Sequence, residues 1–308
     1  MTGGHYAQVY EWHQAGQDFV LKIAPQADEN DLLSMHAMLE WLAYLAAYNA
    51  PIVRPVYSQQ RNLIETIQKD GRTYLISASE EISGVRAEVL PPKAWDAPLI
   101  QQLGRVLGHC HALAETYVPR IPAFVRPQWD QTTNCFNPID ALATAETFLL
   151  EKRAQVLHTI QSLPKDRDSH GLAHLDIHFA NFIVDTEQGE IVLIDFDDCA
   201  YGWYVMDIAM LLFDVLVVYA DQKRDVLRRR FLKALLDGYR QEKPLSAFWV
   251  NQLPAFLKLL EIGVFAMVAP GYDLATCQDK WVNTFMAGRE RRIREDVPYL
   301  DLAGRSTS

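Results

Sequence analysis

The chain has 308 residues, 49% of them hydrophobic, which is enough to bury a large core and leaves little room for disorder outside the ends. A formal charge of −10 disfavours nonspecific nucleic-acid binding and mildly favours a cationic or metal-bridged ligand. Cys110, Cys135, Cys199 and Cys277 are widely spaced and form no CxxC pair, as expected of a protein kept in a reducing cytoplasm. The start, MTGGHYAQVY, lacks a basic region followed by an apolar one. The most apolar run, Met206 to Ala220, is short of the ~20 residues of a membrane span and contains Asp207 and Asp214, so it reads as a buried helix.

In chain order, alternation from His5 to Trp12 and the run Phe19 to Ile23 predict two strands joined around Gly16. Lys22 sits inside the second, where a charge must reach solvent or meet a partner. The acidic, capping-rich Asp28 to Asp31 opens an amphipathic helix that ends near Asn49. Glu40 is the lone acid in the middle of that helix and so a candidate partner for Lys22. Strands Leu63 to Ile67 and Arg72 to Ala78 flank the turn Gln68-Lys69-Asp70-Gly71. Regular pattern is lost from Ser79 to Gly84, which places a domain boundary there.

Beyond it the chain turns helical. Helices are predicted over Pro98 to Tyr117 and Ile139 to Leu163, with a proline- and aromatic-rich connection, Val118 to Pro138, between them. Four more are predicted over Tyr204 to Ala220, Asp221 to Arg240, Phe248 to Met267 and Thr276 to Arg294. The basic runs Arg228 to Arg230 and Arg289 to Arg294 read as solvated helix faces. Between the helices lies a hairpin, Phe182 to Val184 and Ile191 to Ile194, with Asp176, His178 and Asn181 just before its first strand and Asp195, Asp197 and Asp198 just after its second, so that a row of carboxylates sits at the strand tips. Carboxylates so placed repel unless a cation or a phosphate-bound metal neutralises them.

Phosphoryl transfer from ATP needs a lysine on the phosphates, a carboxylate orienting it, a base at the acceptor hydroxyl and oxygen-type metal ligands. Lys22 and Glu40 would be the ion pair, Asp176 the base, and Asn181 and Asp195 the magnesium ligands. An amide five residues after the base can flank one loop, and an acid ending the next strand can face the same metal.

His174-Leu175-Asp176-Ile177-His178-Phe179-Ala180-Asn181 resembles the HxDxHxxN catalytic loop of the aminoglycoside phosphotransferase and choline kinase family, and Ile194-Asp195-Phe196-Asp197-Asp198 resembles its metal-binding strand end. Leu103-Gly104, His111-Ala112-Leu113 and Asp207-Ile208-Ala209 are similar to further family patterns. The resemblance implies an α+β, bilobal protein-kinase-like fold, with a small β-rich N-terminal lobe holding one central helix (1–84) and a larger, mainly helical C-terminal lobe (85–308). It further implies a hinge at about 77–84 with the backbone of Ser79 and Glu80 meeting adenine, and Gly3 and Gly4 in the phosphate loop. Asp207 would brace the catalytic loop, His174 and His178 would support it, and Asp197 would contact metal or a cationic acceptor. Leu175 stands where the family often has glycine, and Phe179-Ala180 where Pro-Gly is common; neither change removes a chemical group.

The expected activity is ATP- and Mg2+-dependent phosphorylation of a small-molecule hydroxyl, on an aminoglycoside, choline or an amino alcohol such as homoserine. No nucleic-acid or membrane partner is expected. A protein serine/threonine kinase, a noncatalytic nucleotide-binding module and a metallohydrolase using His174, Asp176, His178, Asp195 and Asp197 are the alternatives. Trp129, Tyr201, Trp203 and Tyr204 could cradle a cationic acceptor with Asp197, Asp198 and Asp214, or belong to the core, and Arg126 could bind an acceptor carboxylate.

Overall fold

A computed structural model describes residues 7–14, 16–218 and 224–299. Strands β1 (Gln8–Gln14) and β2 (Gln17–Pro25) form the opening hairpin. Helix α1 (Glu29–Ala47) starts at a reciprocal cap in which Asp28 accepts from Asn30 and Asp31 while the Asp31 carboxylate receives the Asp28 N–H. Strands β3 (Pro55–Val56), β4 (Glu65–Lys69) and β5 (Arg72–Glu80) complete an antiparallel sheet of order β1-β2-β5-β3, with β4 on the other stretch of β5. Strand β5 outlasts the sequence expectation by two residues because Ser79 pairs with both Val20 and Pro55 and the Glu80 N–H bonds to Arg54 O.

Strand β6 (Val85–Arg86) follows immediately and pairs with β8, so the chain leaving the N-terminal sheet docks at once on the central hairpin. Helices α2 (Ala97–Ala114), α3 (Ile139–Ala143) and α4 (Thr147–Gln161) lead to β7 (His170–Ala173), β8 (Phe182–Val184), β9 (Ile191–Leu193) and β10 (Ala200–Trp203). Strands β6-β8-β9 form one antiparallel sheet and β7-β10 another. The rest is helical: α5 (Val205–Val218), α6 (Arg224–Glu242), α7 (Ala247–Val250), α8 (Leu253–Val268), α9 (Lys280–Met286) and α10 (Arg289–Arg294).

Three helices predicted as continuous are each split in two, for local reasons. Between α3 and α4, the Thr144 hydroxyl bonds back to Ala141 O. Pro254 occupies the first turn of α8 and cannot extend α7. Gly288, at φ +64°, separates α9 from α10. Helices α2 and α6 pack with their backbones nearly touching, since a Cβ on Gly238 would lie 1.9 Å from Gln101 O. That approach sets His111 of α2 against Tyr239 of α6.

Among the described residues, one stretch, Ala247–Gly271, is long and apolar enough to cross a membrane. It is the buried α7–α8 segment, and its fully buried Glu261 is paired with Arg289 and Lys258. Such a paired acid at the centre of the helical region marks a core helix.

Candidate active site

The start of the loop after β7 is held by one carboxylate. Asp207, in the first turn of α5 and 0% exposed, accepts the N–H of His174 (2.9 Å) and of Leu175 (2.7 Å) and the Nε2–H of His111 (2.9 Å). Burial opposes its charge, but the His111 hydrogen bond and charge and the donated backbone N–H outweigh that and hold the carboxyl below its usual value. Burial also lowers His111, whose Nε2–H donates to Asp207 while its Nδ1 lies 3.0 Å from the Tyr239 hydroxyl. Its own N–H and that of His174, both bonded to this anion, let Leu175 keep φ +63°, a conformation that costs a branched residue about 1 kcal/mol or more.

His174 links the two halves of the site. Its Nε2–H donates to Ile194 O (2.9 Å) and its Nδ1 accepts the Asp176 N–H (3.3 Å). Asn181 ends a short 3-10 turn, Phe179–Asn181, and accepts the Ile194 N–H on its carbonyl (3.0 Å), which sets it beside Asp195. Its side-chain nitrogen donates to the backbone carbonyl (2.8 Å) and to Oδ2 (2.9 Å) of Asp176. His178 accepts the Ala180 N–H at Nδ1, and its Nε2 lies 3.2 Å from Asn181 Nδ2 and 3.5 Å from Asp176 Oδ2. Burial works against protonation of His178, yet Asp176, Asp214 and Asp195 raise its pKa overall. Asp176 Oδ2 is thus occupied, and Oδ1 meets only the Cys135 thiol, 3.8 Å away, among the described residues.

Across the cleft, Lys22 of β2 pairs with Asp197 and lies 3.8 Å from Asp195 Oδ1. The Lys22–Glu40 pair expected from sequence does not form. Lys22 answers the two carboxylates beyond β9, while Glu40 accepts the backbone N–H of Arg120 from the connection after α2. Ser79 and Glu80, expected in the hinge, are strand residues whose backbone pairs within the sheet, and the irregular link is 81–84. Gly3 and Gly4 lie outside the described residues. Arg126 cannot serve an acceptor carboxylate, because its buried guanidinium is spent on Ser34, Asp197 O and Cys199 O. Trp129, Trp203 and Tyr204 are core residues, each 1% exposed; Tyr201 is half-buried.

Several acids share a confined space. Burial, and then the charge of Asp197, raise Asp195 against the pull of Lys22. Burial, Asp176, Asp197 and Asp195 push Asp198 up to about 7. Asp214 of α5 is raised chiefly by burial while it accepts the Phe179 N–H (3.0 Å) and the Trp281 Nε1–H (3.3 Å), a second brace on the loop. The oxygen set of Asp195 and Asn181 Oδ1 fits a hard divalent cation, which would relieve this crowding. The transition-metal alternative fails on geometry. Both ring nitrogens of His174 and Nδ1 of His178 are engaged, and no cluster of three or more His, Cys, Asp or Glu suited to a metal exists among the described residues.

Sequence reasoning did not single out His111, Tyr239 or Cys135 as parts of the site. A histidine on the apolar stripe of α2 and an acid within the apolar α5 were the available signals, since buried polar groups need partners.

A β-rich sheet with one helix, a helical remainder and a lysine facing two strand-end acids beside an Asp–Asn loop define a phosphotransferase. Residues 1–245 match the phosphotransferase enzyme family, and the chain belongs to it. It is an ATP-dependent kinase of protein-kinase-like fold that transfers phosphate to an alcohol group of a small molecule. Among individual proteins it is similar to the amicoumacin kinase of Bacillus subtilis (strain 168), 29% identical over 298 residues, covering 94% of this chain and 85% of that one. A solved structure of amicoumacin kinase hAmiN in complex with AMP-PNP, Ca2+ and Ami superposes with a TM-score of 0.81 at 25% identity, covering 95% of this chain and 86% of the other. A microcompartment-associated aminopropanol kinase shares the fold at a TM-score of 0.61 and 18% identity, covering 94% of each chain.

Proposed function

We propose that this kinase phosphorylates a hydroxyl of an amine-bearing compound of the amicoumacin type, with ATP as donor and Mg2+ as the metal. The observation that carries the reading is the state of the Asp176 carboxylate: Oδ2 is held by Asn181 and faced by His178, which leaves Oδ1 for the acceptor hydroxyl. In this reading Asp176 takes the hydroxyl proton as the oxygen bonds to the γ-phosphorus and the bond to the β,γ-bridging oxygen breaks, releasing ADP. His178 and Asn181 keep the carboxylate aimed. Lys22, placed between the cleft face of β2 and Asp197, binds the donor phosphates. Asn181 and Asp195 would hold Mg2+, which neutralises charge on the transferring phosphoryl oxygens. Glu40 would act through α1, since its carboxylate meets Arg120 and not Lys22.

The acceptor class is supported by the likeness to two amicoumacin kinases over more than nine-tenths of this chain. Charge supports it too: Asp198 and Asp214 lie close enough to Asp176 for each to feel its charge, a setting that favours an ammonium group. ATP dependence and four free thiols support a cytoplasmic location. The test is mass-spectrometric detection of phosphoryl transfer from Mg·ATP across amicoumacin, aminoglycosides, choline and homoserine. Transfer to amicoumacin well above the others is expected; selective transfer to choline or homoserine would overturn the acceptor assignment.

A further inference from the structure

The turn that follows β9 has an unusual conformation and an unusual support. Asp195 adopts φ +61°, and non-glycine residues keep such angles only where their surroundings over-determine them. On one side of the turn, His174 Nε2 holds Ile194 O. On the other, Arg126 donates from Nη2 to Asp197 O (2.5 Å) and from Nε to Cys199 O (2.6 Å). The remaining arm of the same guanidinium reaches α1, where Nη1 donates to the Ser34 hydroxyl (2.6 Å) and the Ser34 carbonyl (3.2 Å). Arg126 is 7% exposed, so these four bonds form away from water.

Arg126 belongs to the connection between α2 and α3, which touches α1 at three points. The Arg120 N–H meets Glu40, the Phe124 ring stacks on His36 with centroids 4.7 Å apart and planes 4° apart, and Arg126 meets Ser34. The connection therefore ties the helix of the N-terminal sheet to the segment carrying Asp195.

We infer that Arg126 is a positioning residue for the nucleotide–metal half of the site: it fixes the 194–199 turn against α1 so that Asp195 is presented to the metal. The inference rests on the phosphotransferase reading above. A planar fork of donors is needed, since one group must satisfy two carbonyls of the turn and a serine on a separate helix at once. A lysine, with a single ammonium on a flexible stem, keeps the charge and loses that geometry.

The test is thermal unfolding of the wild type, Arg126→Lys and Ser34→Ala with ADP alone and with ADP plus increasing Mg2+. In the wild type, Mg2+ is expected to enlarge the stabilisation given by ADP. Arg126→Lys is expected to keep the ADP-only shift while the Mg2+ concentration for half of the added shift rises about tenfold or more. Ser34→Ala, which leaves the turn contacts in place, is expected to move it in the same direction by about threefold. It decides the matter should Arg126→Lys not fold. A wild-type Mg2+ response in the variants, or equal loss of the ADP-only and Mg2+-dependent shifts, would overturn the inference. Absence of any Mg2+ increment in the wild type would instead overturn the nucleotide–metal reading on which it rests.

Discussion

Asn181 turns its side-chain nitrogen onto Asp176, meeting the carboxylate at 2.9 Å and the backbone carbonyl at 2.8 Å. Both Asp176 oxygens are acceptors, which turns Nδ2 toward them and leaves Oδ1 for a metal. Asn181→Asp replaces that donor with a second negative charge beside the base. The expected result is a fall in kcat of about 100-fold or more and a rise in the pH at which activity appears, read from a pH–rate profile.

The anchor of the loop is Asp207, whose carboxylate serves three donors at once. An amide at this position has one acceptor atom and turns its NH2 toward groups that themselves donate. Asp207→Asn is expected to cost about 3 kcal/mol in denaturant unfolding and to lower kcat more than it changes KM for ATP.

Leu175 gives a test in which two effects oppose one another. Its side chain is fully buried, and its backbone sits at φ +63°. Truncating a buried leucine to alanine costs about 2–5 kcal/mol, while glycine relieves about 1 kcal/mol of left-handed strain that alanine keeps. Both variants are therefore destabilised, and Leu175→Gly is the more stable of the two. In a helix interior the order would be the reverse.

These cases separate what was legible in the sequence from what was not. The hairpin, the N-terminal sheet and the order of the helices follow from periodicity and turn chemistry, and the structure brings Lys22, Asp176, His178, Asn181, Asp195 and Asp197 into one cleft. The partners of Glu40 and Arg126 were not legible. Both meet backbone groups, and any residue can supply a backbone N–H or carbonyl, so side-chain identity carries no signal of such a contact. The Tyr239–His111–Asp207 chain joins three helices far apart in sequence; Asp207 was expected to brace the loop, but Tyr239 and His111 look like ordinary core positions until a partner is sought for each. Complementary charge suggested Lys22 and Glu40, but nearer acids claimed the lysine.

Asp198 makes stability depend on pH in a stated direction. Burial, then the charges of Asp176, Asp197 and Asp195, raise its pKa from 3.8 to about 7, with Arg126 opposing. The folded state therefore binds this proton more tightly than the unfolded one. Its contribution favours folding most below about pH 4 and is lost as pH rises through about 7. Asp198→Asn removes this dependence, so the variant is expected to gain several degrees in Tm over the wild type at pH 8 and little at pH 4.5. Equal gains at both pH values would contradict the assignment.

The central claim is that Asp176 acts on the acceptor hydroxyl while nucleotide is held by other groups. Rapid-quench measurement of a single turnover, with Mg·ATP and an acceptor that the wild type phosphorylates, tests it most directly when the enzyme is compared with Asp176→Asn. The expected result is a transfer rate lower by about 1000-fold in the variant, with Mg·ADP affinity within about threefold of the wild type. Transfer by Asp176→Asn at the wild-type rate would contradict the account.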